Sequence, residues 1–161
     1  ATSYAAHFQL EAEGKGYLVP AAMKNAVLAN LRLVARNWKP ASGYYSRSEE
    51  LTQAYRLYIL SLAKKPEMGA MNRLKERKDL STMAKWTLAA AYAQAGRKDV
   101  ANEITGQPLD IGTYRYYEYD FTYGSDLRDT ALMLITLCLT DRRNQAAQIA
   151  GVLSKALSSD H

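Results

Sequence analysis

Apolar residues recur at three- and four-residue steps along most of the chain, and this period predicts a succession of helices. Tyr4 and Phe8 share one side of the first, expected from Ser3 to about Glu13, which Gly14 and Gly16 bring to an end. "GYLVP" (16–20) follows as a short extended connector, and Pro20 suits the first turn of a second helix. That helix aligns Met23, Val27, Leu31, Val34 and Trp38 in one stripe and stops before Pro40. Residues 39–47 read as a loop. Glu49 and Glu50 favour a helix N-terminus electrostatically, and the third helix carries Leu51, Tyr55, Tyr58, Ile59 and Leu62. After "KKPE" (64–67) a short fourth helix holds Met68, Met71 and Leu74. Ser81 is placed to cap a fifth, containing "AKWTLAAAYAQA" (84–95), and Gly96 to close it. A short sixth carries Val100, Ala101 and Ile104. The seventh, "DTALMLITLCL" (129–139), is capped by Ser125 or Asp126, and an eighth, capped by Asp141, ends near Leu157.

The helices are of two kinds. The second and third are amphipathic, whereas "TLAAAYAQA" and "ALMLITLCL" are apolar or small almost all round and must be buried on all sides. Buried helices wrapped by amphipathic ones describe an α/α-toroid or part of one. A weak internal repeat supports stacked helical hairpins: residues 88–104 superpose on 133–149 with Gly96 on Asp141, Ala101 on Ala146 and Ile104 on Ile149. The repeat spacing drifts from about 31 to about 45 residues, against the regular period of about 34 in a tetratricopeptide solenoid. The expected fold is therefore all-α, a partial α/α-toroid of about eight helices forming one domain over residues 1–161, a fragment of a larger multidomain protein. Such an incomplete ring would expose apolar helix faces and tend to self-associate.

One stretch departs from the helical pattern. In "TYRYYEYDFTY" (113–123) aromatic and polar residues alternate, as in an extended segment or β-hairpin. Tyr117, Tyr119, Phe121 and Tyr123 then share one face, either packed over helix ends or offered to a ligand. Glu118 and Asp120 share the other. Paired carboxylates beside aromatic rings could serve a carbohydrate-active enzyme, but neighbours on one strand seldom straddle a scissile bond, and a solvated face is the simpler reading.

Composition adds bounds rather than chemistry. Hydrophobic and charged shares of 48% and 23%, with 9 Gly and 4 Pro, exclude a linker-rich or disordered chain. The net charge of +5 is mild, and its densest run, "RLKERK" (73–78), is interrupted by Glu76. It reads as a solvated helix end or a contact for an acidic partner; no nucleic-acid-binding module accompanies it. Cys138, the one cysteine, has no disulfide partner or metal-ligand spacing and is expected to be a buried apolar thiol. His7 has Tyr4 and Glu11 about one turn away and reads as structural. No cofactor motif, metal motif, phosphate loop or nucleophile grouping is present, so catalytic and metal sites are expected to be absent. No apolar run approaches a membrane span, and direct contact with a membrane is not expected.

Three blocks carry a family resemblance. "SYAAHFQLEAEGKGYLVP" (3–20) and "YGSDLRDTALMLITL" (123–137) resemble two blocks of the thioester domain of the bacterial alpha-2-macroglobulin family, and "LSTMAKWTLAAAYAQAGRKDVA" (80–101) is similar in character to the hairpin between them. The resemblance implies an α/α-toroid within a large, broad-spectrum protease trap, periplasmic or attached to the cell envelope. Its partners would be the other domains of the parent protein and the target proteases. In the family, bait cleavage exposes a Cys–Gln thioester that acylates the protease. Its "GCxEQ" block lies upstream of the "SYAAHF" region and is absent here: Cys138 is followed by Leu139, Thr140 and Asp141. Position in the family makes Tyr123, Ser125, Asp126 and Arg128 the candidate binding surface. The plainer reading of the last three is a helix cap and an ion pair. A general helical-repeat scaffold is the alternative to a trap fragment.

Overall fold

The computed structural model describes residues 2–40, 46–106 and 125–158. Among them are eight helices: α1 (Thr2–Gly14), α2 (Ala21–Asn37), α3 (Ser46–Leu62), α4 (Met68–Lys75), α5 (Thr82–Gln94), α6 (Lys98–Thr105), α7 (Asp126–Leu139) and α8 (Arg143–Ser158). The extended segment expected near 113–123, with Tyr123 and the Glu118/Asp120 pair, lies outside the described residues. Consecutive helices pair as hairpins, α1 with α2 through α7 with α8, and α1, α3, α5 and α7 then pack side by side in that order. The described residues thus form the partial, all-α toroid that the periodicity predicts. None of these helices is long and apolar enough to cross a membrane.

The inner row is held by α5. Every residue from Met83 to Ala93 except Lys85 is buried, and the small side chains of Ala84, Ala89 and Ala91 let neighbouring backbones approach. One core cluster joins α5 to α3, α4 and α6 through Leu57, Leu60, Met71, Leu74, Leu88 and Ala101. A second joins Met83 and Trp86 to Met133 and Leu137 of α7 and Ile149 of α8, where the Thr136 hydroxyl donates to the Trp86 carbonyl at 3.2 Å.

Two helices exchange the characters expected of them. α3 belongs to the buried row: Leu57, Tyr58, Ile59, Leu60 and Ser61 are buried in succession. Its polar positions disguise this because distant partners satisfy them. The buried Gln53 amide donates to the Ala35 carbonyl of α2 at 3.0 Å, and the Ser61 hydroxyl lies 3.9 Å from the Met71 sulfur. α7 is apolar all round but not buried all round. Leu127 and Ile135 are exposed, and so is Cys138, contrary to the expected buried thiol. No described helix packs on that side, α7 meeting only α5 and α8 extensively. The basic run after Met71 is not merely a solvated end either. Lys75 donates to Glu103 at 3.2 Å, and Arg77 to the buried Glu50 at 2.9 Å.

The hairpins share one hinge. After α1, α3, α5 and α7, a residue of positive φ follows the helix: Gly16, Lys64, Gly96 and Asp141. In each case two backbone bonds wrap back onto the last turn, as Arg97 N–H to the Tyr92 carbonyl and Gly96 N–H to Ala93, or Arg142 N–H to Leu137 and Asp141 N–H to Cys138. This is the physical content of the repeat that aligned Gly96 with Asp141. It also corrects the reading of Asp141 as a cap: its backbone makes the left-handed turn, and its carboxylate accepts from Lys98 at 2.6 Å. Lys64 holds a φ of +60° without glycine's freedom. Lys64→Gly should therefore raise stability by about 1 kcal/mol, less glycine's greater entropy in the unfolded chain, seen as a higher urea midpoint. A lower midpoint would mean that the lysine side chain contributes more than the backbone strain costs.

Candidate functional site

The N-terminus of α7 holds the candidates that the described residues contain. Ser125 is extended, with φ −157°, and its hydroxyl accepts from the Arg128 N–H at 3.1 Å, so it is the cap. Asp126 follows in the first turn, where a negative charge suits the helix dipole, and the Thr130 hydroxyl donates to its carbonyl at 2.6 Å. Arg128 turns to its neighbour Asp129, donating from Nε at 3.1 Å and Nη2 at 2.8 Å to one carboxylate oxygen. Asp129 is buried while Arg128 is half-exposed, which ties a desolvated charge to a hydrated one. Ser125, Asp126 and Arg128 are thus brought together on one helical turn; Tyr123 lies outside the described residues.

The charge of Arg128 also reaches α3. Burial, with Tyr4 and Tyr58 nearby, pushes the Tyr55 phenol well above its ordinary range, and the Arg128 charge works against that rise. Tyr55 is the centre of a cluster that sequence reasoning did not assemble. His7 Nδ1 and the Tyr55 hydroxyl are 2.7 Å apart, and Nε2 faces Glu11 at 3.6 Å on the next turn of α1. A proton on Nε2 points to that carboxylate and leaves Nδ1 to accept from the phenol. Tyr4 lies against Tyr55 with ring centroids 5.1 Å apart, and His7 meets Tyr58 edge-on at 6.0 Å. His7 keeps the structural role expected of it, docking α1 on α3. Its local signal was the spacing of Tyr4, His7 and Glu11 on one side of α1. Its partners on α3 read only as part of an apolar stripe.

Chemically this junction is a hydrogen-bonded aromatic contact between α1 and α3. A phenol held above its ordinary pKa stays protonated and is a poor nucleophile near neutral pH. Among the described residues no group of three or more His, Cys, Asp or Glu is placed to hold a metal ion. The same physics gives a measurable alkaline limit. Burial is the main cause that pushes the Tyr92 phenol up to about 12, and its hydroxyl donates to Asn72 at 2.6 Å. In the unfolded chain it ionises near pH 10, so its contribution is full below about pH 10 and is lost as pH rises through the folded value. Tyr92→Phe should flatten the fall of the urea midpoint above pH 10; an unchanged slope would assign that fall to other groups, Tyr55 first.

No protein-family model and no curated protein matches the chain. Solved structures do. Trypsin-activated alpha-2-macroglobulin from Escherichia coli matches with a TM-score of 0.74 and 27% identity, over 96% of this chain and 11% of that one. Native E. coli alpha-2-macroglobulin spanning domain MG7 to the C-terminus matches at 0.74 and 25%, over 96% and 25%. Salmonella alpha-2-macroglobulin reacted with methylamine matches at 0.73 and 26%, over 98% and 11%. The chain therefore spans 11% of the first structure's length.

Proposed function

Because the chain resembles bacterial alpha-2-macroglobulins in fold along nearly its whole length, we propose that it forms wall of the thioester-type toroid in a protease trap of that kind. The observation that carries this is the match over 96% of the chain to a structure activated by trypsin. In this reading the segment is a non-catalytic wall. Its buried inner helices give it rigidity, and its partners are the other domains of its parent and, through them, the target proteases. The parent works in the periplasm or at the cell envelope. Ser125, Asp126 and Arg128 belong to the surface nearest the reactive end of the ring, and the Tyr55–His7 cluster, which the Arg128 charge reaches, lies beside it. Absence of the Cys–Gln block from these residues means that any covalent step belongs to other parts of the parent.

The test uses the full-length protein that carries this segment. On limited trypsin cleavage it should change its hydrodynamic radius and retain trypsin, measured by size-exclusion chromatography and by protection of the bound protease from a macromolecular inhibitor. Cleavage without retention or compaction would overturn the trap and leave the scaffold reading.

A further inference from the structure

The α2–α4 junction gathers positive charge around one acid. Arg32 and Arg36, one turn apart on α2, both reach Glu67, the residue before α4. Arg32 Nε donates to Oε1 at 2.6 Å, and Arg36 Nε to Oε2 at 2.8 Å. Burial works against the Glu67 carboxylate, but the two guanidiniums outweigh it and hold its pKa below the ordinary range. Arg73 of α4 joins them by donating Nη2 to the Arg36 carbonyl at 2.8 Å, with no acid of its own among the described residues. Lys64 and Lys65 occupy the turn just before Glu67.

Two guanidiniums therefore share one carboxylate, and a third is held beside them on a backbone carbonyl. The acid is 10% exposed at its side chain, whereas Arg32 and Arg36 are 41% and 58% exposed. Both bond Glu67 through Nε, and their terminal amino groups are further donors for a ligand. Their rotamers are fixed in advance, so a ligand need not supply that ordering. Beside them Leu33 is 60% exposed, and the exposed Ala29 lies one turn back on the same helix. An apolar residue flanked by ordered arginines is the composition of a protein interface rather than of a solvated face.

We propose that the α2–α4 junction docks an acidic polypeptide segment, with carboxylates on Arg32, Arg36 and Arg73 and an apolar side chain over Leu33. Fixed planar forks match carboxylates in a bidentate way, and Leu33 gives the occupant an apolar contact that nucleic-acid phosphates lack. A membrane surface would favour flexible lysines with several inserting side chains; here one leucine stands among oriented guanidiniums. The reading is independent of the trap proposal, since it rests on this face alone.

The experiment uses the whole chain and a fluorescein-labelled peptide of Asp, Glu and Leu, followed by anisotropy. Binding should weaken about tenfold or more on raising salt and in Arg36→Glu, Arg73→Glu and Leu33→Asp, each checked for folding by circular dichroism. Lys155→Glu, on exposed α8, should bind like the parent chain. If Arg36→Glu loses its fold, the other two variants carry the test. Equal loss in Lys155→Glu, no loss in the junction variants, or no salt-sensitive binding would overturn the proposal. So would stronger, junction-dependent binding to phosphatidylglycerol vesicles or single-stranded DNA.

Discussion

Leu88→Ala is expected to cost about 2–5 kcal/mol of folding stability, a large fraction of what a chain of this size has. Leu88 is wholly buried at the middle of α5. Around it on the same helix stand Ala84, Ala89, Ala91 and Thr87, side chains too small to swing into the space a lost isobutyl group leaves. The rows on either side are themselves packed, α3 by Leu57 and Leu60 and α4 by Met71 and Leu74. The site has little means of collapse, which places the expected cost toward the upper part of that range. Leu33→Ala is the matched control, because Leu33 is 60% exposed and its truncation should move stability by no more than about 0.5 kcal/mol. Urea titrations followed by far-ultraviolet circular dichroism would measure both. A loss below about 1 kcal/mol at Leu88 would mean that α5 is not the helix on which the inner row depends.

The contrast between α5 and α3 shows what the amino-acid pattern could convey. An Ala- and Leu-rich run with Gly96 behind it leaves no polar face for water, so burial on all sides was legible from local residues alone. α3 is almost as buried but carries Glu50, Gln53 and Ser61, and nothing local reveals that Arg77, Ala35 and Met71 meet them across the fold. The error at Cys138 runs the other way. Apolar residues around α7 establish that burial would be favourable, not that a neighbour is present to provide it. Turn chemistry divides similarly. Ser125 announced its cap by type and position, whereas Asp141 has a residue type that serves either as a cap or as a left-handed turn. In the candidate site, Ser125, Asp126 and Arg128 lie within one turn and were readable together. The His7–Tyr55 bond joins residues 48 apart, and Glu67 meets its arginines across 31 and 35, distances over which only the fold can bring partners together.

The uncovered side of α7 leads to the second large effect: the chain by itself should self-associate as its concentration rises. Single exposed apolar residues are ordinary, but here they align. On α1, Tyr4 and Phe8 are one turn apart, 61% and 74% exposed; on α7, Ile135 and Cys138 are exposed on neighbouring positions of one side, with Val152 and Leu157 exposed on α8. Patches of this kind lower their free energy by meeting one another. Multi-angle light scattering should therefore give a mass that climbs above 18.0 kDa with concentration and climbs further in sulfate, which strengthens apolar burial. Phe8→Ser with Ile135→Ser should return the mass toward that of one chain, and serine alters no charge that could act by repulsion instead. Association through the arginine junction would behave oppositely, weakening as salt screens it and responding to Arg36→Glu. A constant mass of 18.0 kDa at all concentrations would show that the exposed side chains are too dispersed to act as a surface, and the open faces of the toroid would then be stable in water without a neighbour.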